Sequence, residues 1–329
     1  MEPLLFVGVL FGFLLTLLVT PVWIKSAKRV GLTGKDMNKP NKREVAEAGG
    51  ISVLLGFILG VLSYIFLKTF YFKSQDNLIE IFAILTSILI VGVVGLIDDL
   101  LGWKIGLNKK VRISLLIFAA IPLIVINAGE STMMGISFGV FYPLFLIPLG
   151  VVATSSTFNF VAGYNGLEAS QGAIILTALA IATFFTGTTW LSLILIIMVA
   201  CILAFLIFNK HPADVFPGDV FTYSVGALIG ISAIFGNIEK FAIFIFIPYI
   251  LEVILKSRGK LKIQSFAKIN SDGTLEKPNK KYYGIEHIAI DFIKKIKGSA
   301  RENEVVLAIN FFQIILIILA FIIFRGFIF

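Results

Sequence analysis

Two adjacent carboxylates, Asp98 and Asp99, stand at the end of an apolar run that begins near Leu78. A charged side chain near the bilayer centre costs roughly 2.5–3.5 kcal/mol on insertion scales. A cation or a proton usually offsets such a cost, although the same pair could simply mark where a helix leaves the lipid. The polar residues that remain as candidates are oxygen donors: Asn159, Asn165 and Asp219. Carboxylate and amide oxygens suit Mg²⁺ or Mn²⁺, and Mg²⁺ commonly takes one or two protein ligands plus substrate phosphates and waters. His211 and His287 are the only histidines, and each reads as a surface residue of a polar loop, not as half of a catalytic pair. There is no P-loop, no GxGxxG after a strand and no zinc-type Cys/His spacing. Residue types alone therefore point to Mg²⁺-assisted phosphoryl or phosphoglycosyl transfer, with proton- or ion-coupled transport as the competing class.

The elements that must position these residues are membrane spans. Of 329 residues, 58% are hydrophobic and only 15% charged, which excludes a soluble globule. A single cysteine, Cys201, rules out an internal disulfide. The start of the chain lacks a charged leader and a small-residue cleavage site, so Met1 to Ile24 is expected to be retained as the first span. Ten apolar runs follow the pattern of spans: Pro3–Ile24, Ile51–Phe72, Leu78–Ile97, Val111–Asn127, Phe138–Phe158, Gly172–Phe185, Thr188–Phe208, Phe221–Phe235, Phe241–Leu255 and Val305–Phe324. Several are shorter than the ~17–25 residues of a lone spanning helix.

Charge tests this count independently. The loops after the odd-numbered spans hold 24 Lys and Arg, against Lys68, Lys73, Lys240 and Arg325 on the other side. That split is a positive-inside pattern, placing the basic loops in the cytoplasm and both termini outside. The net charge of +8 thus reports topology and not nucleic-acid binding. Asp98 and Asp99, then Asn159, Asn165 and Glu168, then His211, Asp214 and Asp219 all fall on the cytoplasmic side. Transporters place ionisable groups near the midplane, often in inverted repeats. Here the acids sit at span ends on one face, and the chain shows no repeat.

The first cytoplasmic loop, Lys25 to Gly50, is basic and rich in Gly, Pro and Asn. Its cations serve topology and anionic lipid, or capture of an anionic substrate. The last, residues 256–304, is the one sizeable polar segment. Leu261, Ile263, Phe266 and Ile269 lie near strand spacing before Asn270-Ser271-Asp272-Gly273, which predicts a hairpin. Ile285, Ile288, Ala289, Phe292, Ile293 and Ile296 share a helical face near Lys294, Lys295 and Lys297, which predicts a basic amphipathic helix on the membrane surface. The fold class expected is an all-α polytopic membrane protein, a single domain over residues 1–329. It is a bundle of about ten transmembrane helices with a small hairpin and an amphipathic helix in the last loop.

The stretch Val161-Ala162-Gly163-Tyr164-Asn165-Gly166-Leu167-Glu168-Ala169 resembles a motif of the polyprenyl-phosphate N-acetylhexosamine-1-phosphate transferase superfamily. It is most similar to the dolichyl-phosphate GlcNAc-1-phosphotransferase branch, which has an AGxNGLEAxQ stretch. Glu47-Ala48-Gly49-Gly50, Gly95 to Asp99, and Phe216-Pro217-Gly218-Asp219-Val220-Phe221 match in order, as do Ile269-Asn270, Gly273 and Leu275 in the last loop. The resemblance spans essentially the whole chain. It implies ten transmembrane helices and a cytoplasmic-face site. It also implies a reaction in which a polyprenyl phosphate attacks the sugar-linked phosphate of a UDP-sugar and releases UMP. Mg²⁺, or Mn²⁺ in its place, would offset the charge that builds on the leaving group.

Carried over position by position, the resemblance makes Asn159 and Asp219 the Mg²⁺ ligands. Asp98 becomes the acid that acts on the lipid phosphate, as base or as organiser, with Asp99 supporting it and the metal. Adjacent helical residues point about 100° apart, so the two aspartates cannot play identical parts. Asn165 corresponds to a uracil-reading asparagine and Glu47 to a glutamate near the nucleotide or sugar. Glu168 falls in the same substrate-binding stretch, and Lys109 or Lys110 corresponds to a phosphate-contacting lysine. The chain departs from the family at Gly102, where many relatives carry Asn, and at Ile263-Gln264-Ser265, where the eukaryotic enzymes carry Arg-His-Arg. Arg258, Lys260 or Lys262 are the candidates to replace that cluster. The expected partners are a UDP-N-acetylhexosamine, a polyprenyl or dolichyl phosphate and the bilayer. A homodimer is compatible with this reading and nucleic acid is not.

Overall fold

The computed structural model describes residues 3–102, 106–133 and 135–328. Lys104, counted above among the loop cations, and Met1, at the head of the first span, lie outside the described residues. The helices are α1 (Val7–Val30), α2 (Gly50–Phe66), α3 (Leu78–Leu101), α4 (Lys109–Ala119), α5 (Ile121–Val125), α6 (Ile147–Phe158), α7 (Leu167–Phe185), α8 (Thr189–Asn209), α9 (Gly218–Phe235), α10 (Glu239–Ile245), α11 (Ile247–Arg258), α12 (Ile285–Lys297), α13 (Glu302–Ile323) and α14 (Arg325–Ile328). Three two-stranded hairpins join them: β1 (Thr33–Lys35) with β2 (Glu44–Ala46), β3 (Thr132–Met133) with β4 (Ile136–Ser137), and β5 (Lys268–Ile269) with β6 (Leu275–Glu276).

Among the described residues, seven helices are long and apolar enough to cross a membrane. The other three expected spans are helical but interrupted. Residues 109–125 divide between α4 and α5 just before Pro122, and residues 239–258 divide between α10 and α11 just before Pro248. Residues 142–146 form a π-helical turn containing Pro143 ahead of α6. Proline lacks an N–H and crowds the preceding turn, so each break has a local cause.

The bundle is organised around α9. Every residue from Val220 to Ile234 is buried, as expected of a helix apolar on all sides. It packs against α3, α6, α2 and α7. Gly95 of α3 permits one close approach, because a Cβ there would stand 2.5 Å from the Asp219 carbonyl oxygen. Helices α1 and α13 lie at the rim and expose rows of large apolar residues such as Leu10, Leu14, Leu18, Phe311, Ile318 and Ile322. Small residues bring α1 onto α2 and α8, and Thr20 shares a 2.8 Å hydroxyl contact with Ser52 of α2. Both features suit helix association in lipid.

The first loop carries a hairpin that its composition hid. Strands β1 and β2 pair Thr33 with Ala46 and Lys35 with Glu44. Ala46 then forms a parallel bridge to Val215, and the Phe216 N–H donates to the Ala46 carbonyl at 2.7 Å. Gly49 and Gly50 N–H groups donate to the carbonyls of Phe216 and Pro217. The first loop is thereby fastened to the segment that opens α9.

In the last loop the turn falls at Asn270–Gly273, with the strands limited to β5 and β6. Leu261, Ile263 and Phe266 lie outside them, and Leu261 has a left-handed backbone (φ 57°). Helix α12 forms as the periodicity predicts, but its apolar stripe divides. Ile285 is buried, as is Ile290 outside that stripe, whereas Ile288, Phe292 and Ile296 form an exposed row. His287 is fully buried and not the surface residue expected, because α12 presses it against α11 and the 265–266 segment.

Replacing Gly95 by Ala forces α3 away from the α9 terminus and is expected to lower the thermal unfolding midpoint in detergent, with an overpacking cost of about 1–3 kcal/mol. An unchanged midpoint would contradict the close approach described here.

Candidate active site

Asp99 and Asp98 leave α3 in different directions. Both carboxylate oxygens of Asp99 accept backbone N–H groups at the start of α9, from Asp219 at 2.7 Å and from Val220 at 3.0 Å. Asp99 thus caps α9 from another helix, meeting its unpaired donors and its positive dipole end. Asp98, 6% exposed, turns toward α4. Its Oδ1 accepts the Leu107 N–H, and its Oδ2 pairs with the Arg112 guanidinium at 3.3 Å.

Tyr223 joins the two acids of α3 and α9. Its hydroxyl accepts from Arg112 Nη1 at 2.8 Å and lies 2.9 Å from Asp98 Oδ2 and 3.0 Å from Asp219 Oδ2. One hydroxyl proton serves only one of these carboxylates at a time. The Arg112 guanidinium also sits 5.8 Å from the Tyr223 ring centre, within range of a cation–π contact. On the other flank, Asn159 Nδ2 donates to Asp219 Oδ1 at 2.8 Å. Asp98, Asp99, Asn159 and Asp219 therefore form one site drawn from three separate stretches of chain.

Glu47 stands at its margin, on the turn between β2 and α2. Burial pushes its carboxyl up from 4.5 to about 7, and repulsion from Asp219 and then Glu168 adds to this, against an opposing hydrogen bond from the Ala48 N–H. Four carboxylates, those of Glu47, Asp98, Asp99 and Asp219, thus gather in this region, and one guanidinium, that of Arg112, pairs with Asp98. That surplus of negative charge, in an all-oxygen setting, suits a hard divalent cation. Among the described residues no three His, Cys, Asp or Glu side chains form a cage by themselves. Asn159 and Asp219 instead offer two adjacent side chains, as Mg²⁺ takes when substrate phosphates and waters complete its shell. A half-turn of the Asn159 amide exchanges its nitrogen for oxygen toward Asp219.

Other candidates from the sequence make hydrogen bonds within the surrounding loops. Glu168 Oε1 accepts the Gly163 N–H at 2.9 Å and closes the 160–166 loop. Asn165 is buried; its Nδ2 donates to Asp36 at 3.0 Å and its backbone N–H to Glu302 at 2.8 Å. Lys39 ion-pairs with Glu302 in turn, and His211 lies 3.8 Å from the same carboxylate. Lys109, Lys110 and Arg258 are exposed and form no ion pair or side-chain hydrogen bond with the described residues.

Arg112 and Tyr223 were missed by residue type alone. Arg112 follows Lys109 and Lys110 on α4, where the cations of a loop read alike. Tyr223 lies four residues after Asp219, the spacing that puts two side chains on one helical face, and that spacing was the available signal. Lys256 was likewise passed over as a loop cation. It pairs with Glu252 at 3.4 Å and stacks on Phe160 at 5.2 Å, lining a cavity of about 350 Å³ between the 160–163 and 261–266 segments.

Comparison with known proteins identifies the family. A sequence profile of glycosyl transferase family 4 matches residues 81–237, which contain Asp98, Asp99, Asn159 and Asp219. A putative UDP-N-acetylglucosamine–dolichyl-phosphate N-acetylglucosaminephosphotransferase of Saccharolobus solfataricus is 39% identical over 300 residues, covering 88% of this chain and 87% of the relative. The chain belongs to glycosyl transferase family 4. A protein of the same description from Sulfolobus acidocaldarius is 35% identical over 323 residues, covering 95% and 94% of the two chains. The UDP-N-acetylglucosamine–dolichyl-phosphate N-acetylglucosaminephosphotransferase of Dictyostelium discoideum is 29% identical over 281 residues, covering 72% and 68%. The resemblance read from the ordered motifs is thereby borne out, and this family 4 chain is a multi-pass membrane protein.

The Glu47 carboxyl gives this family 4 site a pH signature. The folded chain keeps its proton up to about pH 7, whereas an unfolded chain releases it near 4.5. Stability is therefore lost as pH rises through that window. In detergent with EDTA, Glu47→Gln is expected to raise the unfolding midpoint above that of the parent at pH 8 and to leave it unchanged at pH 4. A difference independent of pH would refute the buried, protonated Glu47.

Proposed function

We propose that this chain transfers N-acetylglucosamine-1-phosphate from UDP-N-acetylglucosamine to a dolichyl or related polyprenyl phosphate, releasing UMP. The observation that carries the reading is near full-length identity of 35–39% with two relatives described as such transferases, over an alignment that contains the complete acid cluster. A lipid phosphate oxygen bonds to the sugar-linked phosphorus, and the bond from that phosphorus to the bridging oxygen of the diphosphate breaks. The lipid keeps a diphosphate-linked sugar and UMP leaves with the bridging oxygen.

Arg112, held by Asp98 and Tyr223, is the cation placed to receive phosphate in this site. All three donors reaching Asp98 (Leu107 N–H, Arg112 and the Tyr223 hydroxyl) mark it as an organiser of that guanidinium. Asn159 and Asp219 would hold Mg²⁺. When bound, the ion supplies charge neutralisation for the diphosphate and its leaving group. Asp99 keeps Asp219 in place by fixing the first turn of α9. The cavity beside Lys256, lined also by Lys262, Gln264 and Ser265, takes part of the donor.

The interrupted segments 109–125, 142–158 and 239–258 complete a ten-span bundle in this reading. The basic loops and the acid cluster face the cytoplasm, with both termini outside, in accord with the charge split of 24 to four. The exposed Ile288, Phe292 and Ile296 of α12 rest on the cytoplasmic lipid surface.

Purified enzyme given UDP-N-acetylglucosamine and dolichyl phosphate is expected to release UMP only with a divalent cation, and excess EDTA abolishes release. Asp219→Asn and Arg112→Ala are each expected to lose about 10²-fold or more in kcat, with partial retention in Arg112→Lys. Lys109→Ala and Lys110→Ala stay near the parent rate. Full activity in Asp219→Asn, or a larger loss at Lys109 or Lys110 than at Arg112, would overturn the assignment.

A further inference from the structure

Asn38 belongs to the first loop, yet its side chain ties together two other segments. Its Nδ2 donates to the Gly163 carbonyl at 2.7 Å, and its Oδ1 accepts the Ala267 N–H at 3.2 Å. The residue is only 3% exposed. Both ends of the amide are in use, one as donor and one as acceptor, which neither a carboxylate nor an aliphatic side chain can supply.

The two segments it joins meet at Phe266. Gly163 has a left-handed backbone (φ 96°), and a Cβ there would stand 2.8 Å from the Phe266 ring. Phe266 is in turn the partition between two cavities. The cavity of about 350 Å³ is lined by Gly163, Lys256, Lys262, Gln264 and Ser265. The other, of about 370 Å³, is lined by Met37, Lys39, Lys42, Asn270 and Ser271. Asn38 lies between two of these lining residues in sequence and braces the partition from behind. The neighbouring Asp36 braces Asn165 in the same loop.

We infer that Asn38 is a positioning residue for the sugar-nucleotide donor: it locks the 160–166 loop to the 263–267 segment at the separation the donor requires. The inference rests on the transferase reading above. Both cavities have a mixed lining, with ammonium, amide and hydroxyl groups set beside apolar side chains such as Phe160, Leu261, Ile263, Met37 and Ile269, and those polar groups can pair with the phosphates and sugar hydroxyls of the donor. Loss of the brace therefore falls on the donor and spares the lipid acceptor. The hairpin β1–β2 sets Asn38, and β2 is also bridged to the segment that opens α9, so one rigid element serves both the acid cluster and the donor walls.

The test measures equilibrium binding of UDP-N-acetylglucosamine to the intact protein, together with KM for donor and for dolichyl phosphate. Parent protein, Asn38→Ala and Asn38→Asp are compared. Asn38→Asp keeps the acceptor for Ala267 N–H and the side-chain volume, and replaces the donation to Gly163 by a carboxylate oxygen facing its carbonyl. Losing a buried hydrogen bond predicts a rise of about tenfold in donor Kd and KM. The acceptor KM stays within about twofold, as does kcat at saturating donor. Unchanged donor affinity in both variants, or equal rises in the two KM values, would overturn the inference. Parent protein that fails to bind UDP-N-acetylglucosamine would overturn the transferase reading itself, and the inference with it.

Discussion

The site depends on a carboxylate of one membrane helix that caps another. Asp99 accepts the first free N–H groups of α9 at 2.7 and 3.0 Å, in a setting with little water to replace it. Unpaired backbone donors in lipid cost several kcal/mol each, and an isolated carboxylate in lipid is also costly. Each defect removes the other. Because α9 is buried along its length, its start is fixed by its neighbours, and Asp219 and Tyr223 inherit that fixed position. The same contact decides the parts of the adjacent aspartates. Asp99 is spent on the backbone, so Asp98 alone is turned to Arg112.

A second constraint comes from the first loop. Its short hairpin is bridged to the segment that opens α9 at Ala46 and Val215, and from there it reaches Asn165 through Asp36 and Gly163 through Asn38. The loop cations divide accordingly. Lys39 is absorbed by Asp36 and Glu302, whereas Arg112 is the cation aimed into the acid cluster. A basic loop that reads as topology in sequence thus also supplies the scaffold.

Much of the fold was legible because lipid demands long apolar runs, and these survive any reading of detail. The helix ends were less so. Helices α7 and α9 start at Leu167 and Gly218, before their apolar runs, because their first turns carry Glu168 and Asp219. The meeting of Asp98, Asn159 and Asp219 in one cluster was legible from residue type and from the ordered motifs. The division of labour between Asp98 and Asp99 was legible only as a 100° rule without direction. Arg112 was hidden among Lys109 and Lys110, which share its charge but are exposed and make no ion pair among the described residues. Tyr223 was hidden in an apolar helix, and Asn38 in a polar loop. Apart from the four-residue spacing of Tyr223 from Asp219, their partners lie more than 100 residues away in sequence, and no local pattern reports those distant pairings.

The Asp99 cap fixes the start of α9, and with it the position of Asp219. Amide hydrogen exchange across residues 217–222 of Asp99→Ala, compared with the parent protein in the same detergent, reads it directly. Loss of protection at Asp219 and Val220, with the later turns of α9 unchanged, is the result the account requires. Equal protection in the two proteins would show that α9 is held by something else, and the placement of Asp219 would then lack its cause.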